Sequence, residues 1–418
     1  MRNARSRTGF GLAGGDRRRG ALLAAVPVVA LLAFAIGSVS GGTAQADGVT
    51  RTKYGPLAPS DVDFLRKVRL AGLWEGPSGQ QAQMRSQNQA IRDAGIHMVA
   101  GHAELDAKVL AIANELDVEL PVEPNADQKG WMAEMAAAKT PRQYDQIFVD
   151  RLRPAHGKVY GLVSQIRAGT RNSLIRSFAT RTMEIVLDHI TMLEATGLVN
   201  WSLLPLPPSP IPGGDPAANM IQTEHGPMTE ADVDFLTKVR LAGLWEGPTG
   251  EQAQERSQNE AVREAGLHMI EGHAELDTTV LEVSAELGVQ LPDEPNTDQK
   301  AWMAEMTNAS TPLQYDQVFV KRLRAAHGKV YGLVSQIRAG TRNDLVRTFA
   351  TRTMEVVLDH ITMLERTNMV NFAALPAPPA PAPTAPVKSN SVNPFLVIAI
   401  LAVAGAMTYA AKGRFYRL

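Results

Sequence analysis

Residues 157–172 read Gly157-Lys-Val-Tyr-Gly-Leu-Val-Ser-Gln-Ile-Arg-Ala-Gly-Thr-Arg-Asn172, and residues 328–343 spell the same letters again. Working outward from this identity, Asp61-Val-Asp-Phe-Leu65 returns from Asp232, and Leu70-Ala-Gly-Leu-Trp-Glu-Gly-Pro77 returns from Leu241. The register never slips, and about three positions in four are identical between the copies. Repeats of this length are whole domains rather than turns of a solenoid. The sequence therefore predicts two tandem domains, residues 60–200 and 230–371.

Each domain reads as four main helices. Stretches rich in Ala, Leu, Gln, Glu and Arg with apolar residues three and four apart favour helix, and no strand-like alternation interrupts them. In the first copy the helices are expected over about 60–86, 89–116, 140–169 and 172–196, with a short helix around Trp131 folded over them. Thr140-Pro141 is an N-cap followed by proline at the first helical position, and Gly169 suits a helix C-terminus. Gly76-Pro77 is expected to kink the first helix, because proline removes a backbone donor. Pro154 does not shape its helix, since the second copy has Ala325 there. The fold class expected is all-α, two tandem four-helix bundles.

Projecting the helices at 100° per residue puts one metal-competent side chain on or beside each buried face. They are Glu75, His102, His156 and His189, repeated as Glu246, His273, His327 and His360. Counted at about 1.5 Å per residue from the two interhelical turns, the four fall at similar depth. Asp106 and Asp277 sit one turn beyond the second-helix histidines and are placed to orient an imidazole. His97 and Glu184 project outward, and His225 falls in the linker. Two readings stay open: a hydrogen-bonded polar layer in each core, or a Glu/His3 site for iron, zinc or copper.

The segments Tyr144-Asp145-x-x-Phe148-Val149 with His156, Met98-Val99-x-x-His102 and Asp188-His189 resemble a bacterial exported family of unknown function, often labelled predicted outer membrane protein. The resemblance covers both copies, and it implies a ferritin-like bundle without supplying an activity. The chain departs from the family pattern at Tyr144, where phenylalanine is usual, and at Gly76-Pro77. The Glu-x-x-His pairs of di-iron ferritin centres are absent. So are His-Glu-x-x-His, Gly-x-Ser-x-Gly and phosphate-loop motifs, and no catalytic residue is assigned.

The ends read as membrane signals. Arginines, an apolar run from Ala21 and Ala44-Gln45-Ala46 form a signal peptide over residues 1–46, followed by an extension over 47–59. Proline-rich stretches form a linker over 201–229 and a stalk over 372–394. An uncharged run over 395–411 is a candidate membrane helix, and the basic tail 412–418 would remain cytoplasmic. The chain has 42 basic and 43 acidic residues, a balance that argues against nucleic acid as a partner. The absence of cysteine removes disulfides and thiolate sites. Two functions are expected from this: a membrane-anchored, non-enzymatic module binding cell-wall or protein partners in the envelope, or a metal-binding protein for handling, sensing or redox.

Overall fold

The computed structural model describes residues 48–381. The expected signal peptide, membrane helix and basic tail, and most of the stalk, lie outside these residues. Among the described residues, no helix is long and apolar enough to cross a membrane.

The described chain is all-α apart from one small hairpin, and it forms two tandem helical halves. The first half runs β1 (Thr50–Thr52), β2 (Gly55–Leu57), α1 (Pro59–Arg85), α2 (Gln89–Glu115), α3 (Ala126–Ala137), α4 (Pro141–Gly169) and α5 (Ser173–Ala195). The second repeats the helices as α6 (Glu230–Arg256), α7 (Glu260–Glu286), α8 (Thr297–Thr307), α9 (Pro312–Gly340) and α10 (Asp344–Arg366). In each half the four long helices pack in a ring, α1 on α2 and α4, and α5 on α2 and α4. Capping asparagines set the starts: the Asn88 and Asn172 side chains accept from the first backbone N–H groups of α2 and α5.

One local expectation is corrected, the C-terminal cap of α4. Helix α1 runs as one element through Pro77. The Ser78 hydroxyl donates to the Trp74 carbonyl at 2.7 Å, and the tight approach of Gly79 to Gly95 holds α1 against α2 across this region. Gly169 is not a left-handed cap. It ends α4 in ordinary geometry, and its missing side chain makes room for the carbonyl of Pro376. The extension over 47–59 carries the hairpin, which docks on the α4–α5 turn, where Asn172 Nδ2 donates to Gly55 O at 3.2 Å. The hairpin turn needs glycine at Gly55, with φ of +101° and a Cβ position only 2.5 Å from Arg171 O. Asn343 and Gly226 repeat this contact at 3.1 Å in the second half.

The two halves pack on each other through α4 and α9. At the centre of the interface Ser164 and Ser335, identical positions in the two copies, meet hydroxyl to hydroxyl at 2.6 Å. On one side Glu194 accepts from Arg153 of its own half at 2.9 Å and, through both oxygens, from Arg338 of the other half at 2.8 Å. On the other side Glu365 does the same with Arg324 and Arg167. Arg153 and Arg324 also reach across to the carbonyls of Ala339 and Ala168. Burial draws the Arg153 guanidinium down to about 10, against the opposing pull of Glu194. One apolar cluster runs continuously through both halves, from Phe64, Val163 and Phe178 to Phe235, Val334 and Phe349.

The proline-rich segments strap this interface. Residues 204–208 follow the first half yet lie over Gly340 of α9 as well as Gly157 and Gly161 of α4. Residues 375–379 follow the second half and lie over Gly169 of α4 and Gly328 and Gly332 of α9. The start of the expected stalk is thus held against the protein at Gly169, where Pro376 O and Pro378 occupy the space a Cβ would need, as Pro205 O and Pro207 do at Gly340. Trp201 and Phe372 lead into the straps, and each ring stacks on an arginine of the opposite half, Arg347 at 3.9 Å and Arg176 at 3.8 Å.

Glu194→Ala strands two buried guanidiniums on one side of the interface. The expected loss is about 3–5 kcal/mol of unfolding free energy in urea. A loss below about 1 kcal/mol, the range of surface pairs, contradicts this account of the interface.

Candidate metal centre

Each long helix of the first half delivers one polar side chain to the same depth. Glu75 comes from α1, His102 from α2, His156 from α4 and His189 from α5, and all four are buried. They sit where two apolar clusters meet. On α1, Glu75 separates Val68 of the inter-half cluster from Ala82 of the outer cluster; on α4, His156 separates Tyr160 from Leu152. Amphipathic periodicity therefore points all four inward, and comparable spacing from the turns brings them together.

Glu75 Oε2 lies 2.7 Å from His102 Nε2 and 3.1 Å from His156 Nε2. His156 Nε2 lies 3.1 Å from His189 Nδ1. One nitrogen from each of the three imidazoles falls within 4.8 Å of the others. The second half repeats the set: Glu246 Oε2 is 2.8 Å from His273 Nε2 and 3.2 Å from His327 Nε2, which is 3.0 Å from His360 Nδ1. The eight residues singled out by projection are thus assembled as two buried clusters.

Backbone carbonyls decide which ring nitrogens carry protons. His156 Nδ1–H donates to Leu152 O at 2.9 Å, and His189 Nε2–H donates to His97 O at 3.0 Å. His327 and His360 make the same bonds to Leu323 and His268. In a neutral imidazole the other nitrogen then presents a lone pair. His156 Nε2 and His189 Nδ1 therefore face each other, and the carboxylate, with acceptors. The remaining ring nitrogens, Nδ1 of His102 and of His273, are buried without a hydrogen-bond partner.

Burial holds His156 below the ordinary imidazole range, with His102 and Arg153 adding to the effect and Glu75 opposing it. Burial likewise drives His189 far below that range, reinforced by His102 and His156. Burial pushes the Glu75 carboxyl up, yet His156 and His102 together outweigh it and hold it below the usual carboxylate range. The same pattern holds for Glu246, His327 and His360. A cavity of about 10 Å³ adjoins the cluster, lined by Val68, Ala71, Leu105, Val159, Thr182 and Val186. That is room for roughly one water.

Asp106 and Asp277 do not orient the imidazoles. Arg69 and Arg240, one on each first helix, take their carboxylates in ion pairs instead. His97 is partly exposed and pairs with Asp188, while Glu184 pairs with Arg181 at the surface. His225 pairs with Asp344. Projection missed Gly101 and Gly272, which precede the α2 and α7 histidines. A Cβ at either would collide with Nε2 of His189 or His360, so glycine here lets the imidazole close on the neighbouring helix. The signal was present: an interior helical glycine costs about 1 kcal/mol relative to alanine.

A family model described as Domain of unknown function (DUF4142) matches residues 49–196 and again 217–367. The chain belongs to this family. It holds two tandem copies, and the matched stretches take in the hairpin ahead of α1 and the isolated bridge Ile221–Met228 ahead of α6. No curated protein and no solved structure matches the chain.

The depressed imidazoles have a pH consequence in the chelated protein. The unfolded chain protonates its histidines near pH 6.5, whereas His156 and His189 stay neutral in the fold, so the unfolded state binds more protons as pH falls. Stability from these rings is present above about pH 6.5 and declines below it, toward their depressed native values. Glu75 contributes the opposite class of group, whose stability persists until the pH falls below about 4.5. The melting temperature of chelated protein is expected to be level near pH 7–8 and to decline between about pH 6.5 and 5. A melt that stays level down to about pH 5 contradicts the neutral-imidazole assignment.

Proposed function

We propose that each half is a transition-metal-binding module holding one divalent cation among Glu75, His102, His156 and His189, or Glu246, His273, His327 and His360. The observation that supports this most is the convergence of acceptors. His156 Nε2 and His189 Nδ1, two ring nitrogens whose partner nitrogens donate to backbone carbonyls, face each other at 3.1 Å, and His156 Nε2 also lies 3.1 Å from Glu75 Oε2. Such an arrangement repels itself unless a cation stands among the lone pairs. A hydrogen-bonded polar network, the competing reading, accounts for His102 Nε2 beside Glu75 Oε2 but not for two proton-free nitrogens facing each other between His156 and His189.

The donor set is rich in imidazole with a single carboxylate. It favours iron, zinc or copper over magnesium and calcium, which prefer oxygen ligands. One carboxylate leaves a divalent centre with one net positive charge. The adjoining cavity takes nothing larger than about a water. This favours metal handling, sensing or electron transfer over the hydrolysis of a bulky substrate. The inward-facing ligands on four packed helices are the arrangement expected of a ferritin-like bundle, here mononuclear because the paired Glu-x-x-His motifs are lacking. The N-terminal apolar run and Ala-x-Ala, and the uncharged run over 395–411, support placement of both halves outside a membrane with the C-terminus as anchor.

Elemental analysis of full-length protein after supplementation with iron, zinc and copper tests the reading. One equivalent per half is expected, with a rise in melting temperature on loading. His102→Ala is expected to halve the content, and His102→Ala with His273→Ala to abolish it. Metal content below about a tenth of an equivalent per half, with no thermal shift, overturns the proposal.

A further inference from the structure

A groove of about 440 Å³ spans both halves between α5 and α10. Each half lines it with the same residues. Met183 and Leu187 come from the first half and Met354 and Leu358 from the second, and together they make it apolar. Glu184, Asp188 and Glu355 add three carboxylates, and no lysine, arginine or histidine lines it. Tyr160 of α4 and Tyr331 of α9 also line it, each only 1% exposed.

We propose that this groove binds a linear aliphatic diamine or polyamine, its ammonium groups at Glu184 and Glu355 and its methylene chain along the methionine and leucine side chains. The site is independent of the metal centres.

Three observations support it. First, two buried phenols lack partners. The hydroxyls of Tyr144 and Tyr315, the other fully buried tyrosines, donate to the carbonyls of Ser78 and Thr249 at 3.0 and 3.1 Å. The hydroxyls of Tyr160 and Tyr331 meet no acceptor among the described residues, and the groove is where both side chains open. A buried hydroxyl left without a bond is costly, so a pair of them at one groove marks bonds that a ligand supplies. Burial pushes both phenols above their ordinary range and keeps them neutral. Each oxygen can then accept from an ammonium N–H. Its own proton is free to turn toward the carboxylate that acts on it, Glu355 for Tyr160 and Glu184 for Tyr331.

Second, the unspent charge is negative. Arg181 takes Oε2 of Glu184 at 2.6 Å and Arg352 takes Oε2 of Glu355 at 2.8 Å, which leaves Oε1 of each without a partner among the described residues. The guanidiniums that act on the phenols, Arg338 and Arg167, are held by Glu194 and Glu365. A cationic ligand complements such a surface. Third, the lining selects among cations. Its methionines and leucines do not suit a bare metal ion, which calls for a shell of oxygens. The tyrosine ring faces are buried, so no aromatic cage is offered to a quaternary ammonium. An alkyl chain with N–H donors at both ends matches the apolar walls, the paired glutamates and the paired hydroxyls, and the volume is in the range of small-ligand sites.

Calorimetric titration of chelated full-length protein with spermidine tests the proposal. One equivalent per chain is expected, because both halves build one site. Glu184→Gln and Glu355→Gln are each expected to weaken binding about five-fold, the scale of one partly exposed charge pair, and the double variant by about the product. Tyr160→Phe with Tyr331→Phe is expected to weaken it about five-fold without lowering the melting temperature, since the deleted hydroxyls have no bond to lose. Butylamine, with one ammonium, and hexamethonium, a dication without N–H, are each expected to bind at least about ten-fold more weakly. Glu119→Gln, an exposed carboxylate outside the groove, is expected to bind as the native chain does. No heat at about 10 mM spermidine, or two equivalents per chain, overturns the site. So do glutamate variants that bind like the native chain, or an equal loss in Glu119→Gln. Hexamethonium binding as tightly as spermidine, or an unchanged affinity in the tyrosine variant, overturns recognition through the phenols.

Discussion

A carboxylate buried among three imidazoles, two of which commit a ring proton to a backbone carbonyl, is the constraint around which each half is organised. Burying Glu75 without partners would neutralise it, and burying three imidazoles would keep them neutral. The fold meets the two demands at different rings, since His102 Nε2 beside Glu75 Oε2 at 2.7 Å supports the carboxylate while burial holds His156 and His189 below the ordinary imidazole range. The price is geometric. Four helices must keep a common depth, α2 must carry a glycine at 101, and the apolar core must divide into clusters above and below the polar layer.

The interface between the halves is coupled to this layer by proximity along two helices. Arg153 lies one turn before His156 on α4, and Glu194 follows His189 on α5, so the residues that clamp the halves flank the residues that form the centre. The clamp has the self-complementary form of a homodimer interface, in which each contact occurs twice with the copies exchanged. Ser164 against Ser335 marks its axis, and Glu194 and Glu365 occupy equivalent places on either side. Fusion of the copies into one chain removes the concentration dependence that a dimer would have. The straps strengthen the arrangement, since each leaves one half and packs across both.

Much of this was legible in the residues. The constant offset between the copies gave two domains, and the spacing of Ile91, Met98, Leu105 and Val109 gave the buried face of α2 that places His102. The cap residue Thr140 marked a helix start that the structure reproduces, whereas the caps at Asn88 and Asn172 came from the structure. Periodicity reaches this far because it reports which side of a helix faces the core. It does not report what a neighbouring helix presents at the same height. For that reason Asp106 looked like a partner for an imidazole, when Arg69 on α1 was in position to claim it.

By itself the sequence determined the helix count, the duplication and the inward direction of the four candidate ligands, because each of these follows from local propensity, identity and the 3.6-residue period. Tertiary structure alone decided that the halves pack together and that the proline segments fold back as straps. It also decided which ring nitrogens keep their protons, and that a glycine lets His189 close against α2. These depend on atoms far apart in the chain meeting at distances of about 3 Å, which no one-dimensional pattern encodes.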